Sequence, residues 1–228
     1  MRDAGVALII PALDEAEVIG GLVRRVPRDL VAEVIVVDNG STDATASEAA
    51  GAGARVVSEP RRGYGAACWA GVAALGDGAE VAVFLDGDGS QRPEEIGRVL
   101  APILSGSADL VLGARQFAGH HPVHATLGTR LVAAFVAWRF GVGLSDLGPL
   151  RAIRVDLLRR LGMRDRRFGW PVEMVVKAAA LRARIAEVPV SHLPRLGGRS
   201  KVAGTFGGSL RAGWAFLSVA WRAARDVS

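Results

Sequence analysis

The chain predicts an α/β fold, a mostly parallel sheet with helices on both faces, held in a single domain. Three observations carry that prediction. Short runs rich in Val, Ile and Leu alternate with Ala-rich stretches of helical spacing. At 228 residues, half of them hydrophobic, the chain is long enough for one well-buried domain and short for two. Polar and acidic clusters stand just after the first, second and fourth apolar runs, where open parallel sheets bind their ligands.

Strands are expected at residues 6–10, 33–37, 54–57, 81–85 and 109–112, and a last one at 185–190. Helices are expected between them at 15–26 and 42–51, where capping residues and spacing are helical, and Gly51-Ala52-Gly53 reads as a helix stop before the third strand. Pro93-Glu94-Glu95 has the proline and acids of a helix start. Ile96, Val99, Leu100, Ile103 and Leu104 then trace one buried face, which Pro102 should kink or shorten. From residue 119 the alternation weakens. Residues 123–140 predict an amphipathic helix with Leu127, Leu131, Phe135 and Trp138 on one side and Arg130 and Arg139 interspersed. The turn Gly141-Val142-Gly143 delivers Ser145-Asp146-Leu147-Gly148-Pro149, a short helix covers 155–161, and Gly169-Trp170-Pro171-Val172-Glu173 opens an Ala-rich helix. The main domain is expected over 1–205. Residues 206–228 should form an amphipathic helix, with Leu210, Trp214, Leu217 and Trp221 on one face and Arg211, Arg222 and Arg225 beside it. That face suits a bilayer interface, the domain core or a second copy of the chain equally.

Composition narrows the chemistry. The net charge of +5 and pI near 10.5 fit nucleic acid, anionic lipid or phosphorylated small molecules. The cations are dispersed and no nucleic-acid motif appears, which excludes the first. The single Cys68 excludes an intramolecular disulfide and a Cys-rich zinc site, favours a reducing cytoplasm, and reads as a small core residue. No signal peptide is expected at the N-terminus and no apolar run reaches membrane-spanning length, so a cytoplasmic protein, soluble or peripheral at the inner membrane face, is expected. The trio His120, His121 and His124 lacks the spacing of a zinc site, and His192 beside a strand end reads as structural.

The most informative segment is Val81-Ala82-Val83-Phe84-Leu85-Asp86-Gly87-Asp88. A buried strand ends in two carboxylates separated by glycine, and hard oxygen donors of that kind suit a divalent cation that carries phosphates. Pro11-Ala12-Leu13-Asp14-Glu15 and Asp38-Asn39-Gly40-Ser41-Thr42-Asp43 follow neighbouring strands and converge on the same edge. Gly-x-Gly-x-x-Gly is missing after the first strand, which argues against a nicotinamide dinucleotide.

Eight motifs, in order, resemble glycosyltransferase family 2 with its GT-A-type nucleotide-sugar fold, and most of all its branch of dolichyl- and polyprenyl-phosphate hexose synthases. They are Ile10-Pro11-Ala12-Leu13-Asp14-Glu15, Val37 to Asp43, Arg62-Gly63-Tyr64-Gly65, Asp86 to Pro93, Gly113-Ala114-Arg115, Asp146 to Ala152, Gly169-Trp170-x-x-Glu173 and Arg199-Ser200-Lys201. The chain departs from the pattern at Asp14, where Asn is usual, and lacks the C-terminal membrane hairpins of many relatives.

The resemblance implies a role for each residue. Pro11, Glu15, Asp38, Arg62 and Gly63 would hold the nucleotide; Asp86 would serve ribose and metal. Asp88 would be the direct ligand of Mg2+ or Mn2+, with Gln91 as a further one. Arg115, Arg130, Arg199, Ser200 and Lys201 would face donor and acceptor phosphates. Asp88, Glu173 and Asp146 would be the catalytic set, with Glu173 or Asp146 taking a proton from a hydroxyl acceptor. The implied reaction is an inverting transfer of a hexose from a nucleotide-diphosphate sugar, UDP-glucose ahead of GDP-mannose. The expected acceptor is a polyprenyl phosphate; a soluble acceptor, and a noncatalytic nucleotide-sugar binding protein, are the alternatives. Nothing in the residues decides the oligomeric state.

Overall fold

The computed structural model describes residues 5–117 and 123–195, together with Trp221 and Ala223. One seven-stranded sheet runs in the order β3-β2-β1-β4-β6-β5-β7. Its strands are β1 Gly5–Ala12, β2 Glu33–Asp38, β3 Arg55–Ser58, β4 Ala79–Phe84, β5 Leu110–Phe117, β6 Arg151–Arg154 and β7 Ile185–His192. The helices are α1 Ala16–Arg24, α2 Thr45–Gly51, α3 Tyr64–Ala73, α4 Ile96–Leu104, α5 Val123–Phe140, α6 Val155–Leu161 and α7 Trp170–Ala180. This is the expected α/β architecture of GT-A type.

β3, β2, β1 and β4 pair parallel with one another in that order, and β5 pairs parallel with β7 from Leu110↔Ile185 to Phe117↔His192. β1 lies in the middle of the parallel half and reads as a continuous apolar run because both its faces are covered. Leu8 and Ile10 enter one core cluster and Ile9 the other, as the two-residue period of a strand requires.

Four local features differ from the sequence expectation. No strand is expected at Arg151–Arg154, yet β6 inserts there antiparallel to both β4 and β5. Its charged ends hide a short apolar centre. Arg151 is buried because its guanidinium donates to the carbonyls of Leu147 at 3.1 Å and Gly148 at 2.6 Å. The motif Gly63-Tyr64-Gly65, which the sequence predicts as a loop near the base and ribose, opens a helix instead: Tyr64 begins α3, with Gly63 as its N-cap. In α5 the buried face is Val132, Ala133 and Val136, whereas Leu131 and Trp138 are exposed, so its apolar side is set by small residues that fit against α7 rather than by the larger ones. Pro102 does not end α4; it stands inside the last turn, and the helix runs on to Leu104 at the cost of the one ladder bond that its missing N–H would have made.

The segment expected to form a C-terminal helix lies outside the described residues apart from Trp221 and Ala223. The Trp221 ring centre is 6.3 Å from that of Phe135, and Ala223 is buried in the core cluster. Among the described residues, no helix is long and apolar enough to cross a membrane.

Candidate functional site

The register Ala12↔Asp38 and Ile9↔Phe84 brings the ends of β2, β1 and β4 side by side, and the segments that follow them are tied together. Asp14 has φ of 50°, a left-handed conformation that Asp and Asn tolerate, and its Oδ1 accepts from the Thr42 amide at 2.8 Å. The Glu15 amide donates to Thr45 Oγ1 at 2.8 Å. Asn39 organises the next segment: Nδ2 donates to the carbonyls of Glu59 at 2.9 Å and Arg61 at 2.8 Å, and Oδ1 accepts from the Gly63 amide at 2.8 Å.

These segments enclose a cleft of about 530 Å³, a size suited to a small organic ligand. Pro11, Glu15, Arg62, Gly63, Asp86 and Asp88 line it, six residues that the sequence places in the site. The same cleft is lined by Asn39 and Tyr64, which stand in motifs that carry the resemblance, and by Arg167, Phe168 and Arg195, to which the sequence assigns no part in the site. Arg195 reads in the sequence as a strand-end charge. Here its Nη2 donates to Glu15 Oε1 at 3.0 Å, and its Nε stands 3.3 Å from Asp88 Oδ2.

Burial, and then the charge of Asp88, push the Asp86 carboxyl up to about 6, while its hydrogen bond with the Tyr64 hydroxyl and the charges of Arg151 and Arg195 work the other way. Burial raises Tyr64 and Cys68 too, so both stay neutral under the site. Asp86 Oδ1 is buried without a hydrogen-bond partner. A buried bare carboxylate oxygen beside a second carboxylate fits a divalent cation. No third His, Cys, Asp or Glu completes such a cluster among the described residues, which suits a cation that completes its shell with substrate phosphates and water.

Other expected residues are not brought into the cleft. Asp38 ends β2 beside Asn39, and its Oδ1 accepts from the Ser41 amide three residues on at 3.0 Å, which closes the turn after the strand. Gln91 is buried, with Nε2 donating to Ser90 Oγ at 2.6 Å and Oε1 unpartnered. Arg115 and Asp146 hold each other: Nε and Nη2 each donate to the Asp146 carboxylate at 2.7 Å, a bidentate fork, and the Arg115 amide adds a bond at 3.0 Å. Burial opposes the charge on Asp146, but the Arg115 hydrogen bonds hold its carboxyl below the ordinary range. The expected phosphate-binding arginine and the expected catalytic aspartate are thus each other's partners.

Glu173 is buried, accepts from the amides of Arg164 at 2.9 Å and Asp165 at 2.7 Å, and pairs with buried Lys177 at 2.7 Å. A carboxylate so engaged, away from the cleft lining, is not placed to take a proton from an acceptor. Arg130 is exposed on α5. Arg199, Ser200 and Lys201, and with them His120 and His121, lie outside the described residues.

The model of the family described as Glycosyl transferase family 2 matches residues 7–174. An uncharacterised glycosyltransferase of Mycobacterium tuberculosis is 40% identical over 214 residues, which cover 93% of this chain and 96% of that protein. An undecaprenyl-phosphate mannosyltransferase of Micrococcus luteus is 32% identical, covering 87% of this chain and 88% of its own. Among solved structures, glucosyl-3-phosphoglycerate synthase from Mycobacterium tuberculosis in complex with phosphoglyceric acid has a TM-score of 0.77 and 25% identity, covering 97% of this chain and 80% of that one. A complex of that synthase with Mn2+, UDP and glucosyl-3-phosphoglycerate shares the fold with a TM-score of 0.75 at 24% identity, covering 97% of this chain and 80% of the other.

The expected placement among dolichyl- and polyprenyl-phosphate hexose synthases does not hold. A likeness that spans 97% of the chain in three dimensions is to a synthase crystallised with phosphoglyceric acid, a phosphate-bearing acid and not a polyprenyl phosphate, and the 32% identity to the mannosyltransferase shows the family. The chain belongs to glycosyl transferase family 2.

Proposed function

We propose that the protein transfers glucose from UDP-glucose to a soluble acceptor that bears a phosphate group. The observation that carries the reading is a cleft lined by Asp86 and Asp88 together with Arg62, Arg167 and Arg195. Carboxylates that hold a divalent cation, surrounded by arginines, suit two anionic substrates, a nucleoside diphosphate sugar and a phosphorylated acceptor. The glucosyl-3-phosphoglycerate synthase whose fold the chain shares is named for that pair of chemistries.

Asp86 and Asp88 would hold Mg2+ or Mn2+, which when bound offsets the negative charge that builds on the departing nucleotide. The chain's own residues do the rest. Pro11 and Gly63 wall the cleft around the nucleotide, and Arg62, with Nη2 donating to the Gly40 carbonyl at 3.1 Å, is held across its rim. Arg195 keeps Glu15 and Asp88 in register.

The inverting displacement expected from the sequence calls for a carboxylate base only where the acceptor attacks through a hydroxyl, and the engagement of Glu173 with two amides and of Asp146 with Arg115 speaks against either in that role. The anomeric proton coupling of the product, read by NMR, assigns the stereochemical course.

Radiolabelled UDP-glucose and GDP-mannose, each with Mn2+, are offered in turn to 3-phosphoglyceric acid, other phosphorylated small acids and extracted polyprenyl phosphate. Water-soluble product from UDP-glucose supports the reading. Label that enters only the organic phase would sink it.

A further inference from the structure

Residues 162–169 join α6 to α7 and pass over the cleft, and more of their backbone is fastened than a connection of this length needs. From below, the Glu173 carboxylate takes the amides of Arg164 and Asp165, and Lys177, its ion-pair partner, donates to the Gly162 carbonyl at 2.9 Å. From the side, the first turn of α3 donates to the segment, Gly65 N–H to the Arg167 carbonyl at 2.9 Å and Ala66 N–H to the Arg166 carbonyl at 3.0 Å. Within it, Asp165 Oδ1 accepts from the amides of Arg167 at 2.8 Å and Gly169 at 3.1 Å. The Arg166 guanidinium lies 4.6 Å from the Trp69 ring centre, and so its charge is turned aside.

What this frame leaves facing the cleft is Arg167 and Phe168. Phe168 is 45% exposed and offers an apolar surface beside Arg167. Of the three arginines that line the cleft, Arg62 donates to a carbonyl and Arg195 is paired with Glu15 and Asp88. Among the described residues the Arg167 side chain makes no hydrogen bond or ion pair. A cation held on a rigid backbone, unpaired at the mouth of a cleft, is preorganised for an anion that arrives from solution.

We propose that residues 164–169 are the acceptor-recognition element: Arg167 contacts the anionic group of the acceptor beside the apolar wall of Phe168, and Glu173 is the positioning residue that holds the element in place. The inference rests on the soluble phosphate-bearing acceptor proposed above. It replaces the expected role of Glu173 as base with one that acts through the loop.

The test measures kcat and acceptor KM separately for wild type, R167A, R167K and E173Q with UDP-glucose, Mn2+ and 3-phosphoglyceric acid, and the UDP dissociation constant of each by calorimetry. R167A should raise acceptor KM by about tenfold or more, R167K less, with UDP affinity within about twofold of wild type. E173Q should raise acceptor KM while keeping kcat at saturation and the wild-type pH profile; a lost base would instead lower kcat. If E173Q does not fold, R167A and F168A decide the matter alone. An unchanged acceptor KM in R167A, or a loss confined to UDP affinity, overturns the inference and leaves the transfer reaction standing. A wild-type enzyme inactive on every phosphate-bearing acceptor removes the reading beneath it and the inference together.

Discussion

Arg195 Nε stands 3.3 Å from Asp88 Oδ2 while Nη2 of the same guanidinium donates to Glu15 Oε1 at 3.0 Å, so a cation supplied by the protein sits at the edge of the acidic pair. If Asp88 holds the cation of the proposed reaction, it serves two positive charges, and a divalent ion entering without its nucleotide meets repulsion there. Replacing Arg195 with Gln should tighten the binding of Mn2+ alone several-fold, read by calorimetry in the absence of UDP. Weaker or unchanged Mn2+ binding in R195Q would show that the arginine does not oppose the ion.

The acidic pair itself should be indispensable. Asp88→Asn is expected to lower turnover by at least about a thousandfold while the thermal unfolding midpoint stays near that of wild type, because charge stabilisation of the leaving group is among the largest catalytic terms. Retained turnover would remove Asp88 from the chemistry.

Mn2+ affinity should fall in acid below about pH 6, where Asp86 takes up a proton. The sign for stability is opposite to that of an ordinary paired carboxylate. The folded-state pKa lies above the unfolded value, so the native state binds more protons between roughly pH 4 and 6. The metal-free protein should thus lose stability as pH rises through that window, and D86N should lose this dependence. Melting curves of both proteins at pH 5 and 7 without metal check it.

Glu173 and Lys177 form a buried ion pair at 2.7 Å. Removing one partner strands the other charge, so Glu173→Ala should cost about 3 kcal/mol or more in denaturant unfolding. The double variant E173M/K177M should recover the part of that loss due to the stranded charge, yet stay less stable than wild type and bind the acceptor poorly, because the amides of Arg164 and Asp165 lose their acceptor and the Gly162 carbonyl its donor. Full recovery of both properties would separate the pair from the loop.

Two glycines of similar appearance should behave in opposite ways. A Cβ on Gly65 would lie 2.4 Å from the Asp165 carbonyl oxygen, so Gly65→Ala should push residues 164–167 away and cost about 1–3 kcal/mol with a loss of transfer. A Cβ on Gly21 of α1 meets nothing within 4 Å, and Gly21→Ala should stabilise by about 0.5–1 kcal/mol with activity intact. Thermal melts of the two variants give the comparison.

What could be read along the chain follows from how far each signal reaches. The strands around Val6, Val34 and Val81 are legible because two covered faces leave a continuous apolar run, and Asp86 and Asp88 are legible as a site because they end one of those runs. The buried face of α5 is not: Leu131 and Trp138 outrank Val132 and Val136 in hydrophobicity, and only the space beside α7 decides which side packs. Arg167 and Phe168 stand just before Gly169-Trp170, and that adjacency was the one local hint of a role.

The sequence by itself determined the α/β class, most of the elements, the family, and the strand ends that carry the carboxylates, since periodicity, turn residues and motif order are local properties. Tertiary structure decided which charges are free to act. Arg115 and Asp146 are 31 positions apart and consume each other, and Arg195 reaches Glu15 across 180. Glu173 is bound to amides that belong to the loop it supports. An ionisable side chain has no function until its partner is known, because a guanidinium or carboxylate satisfied inside the protein is no longer offered to a substrate.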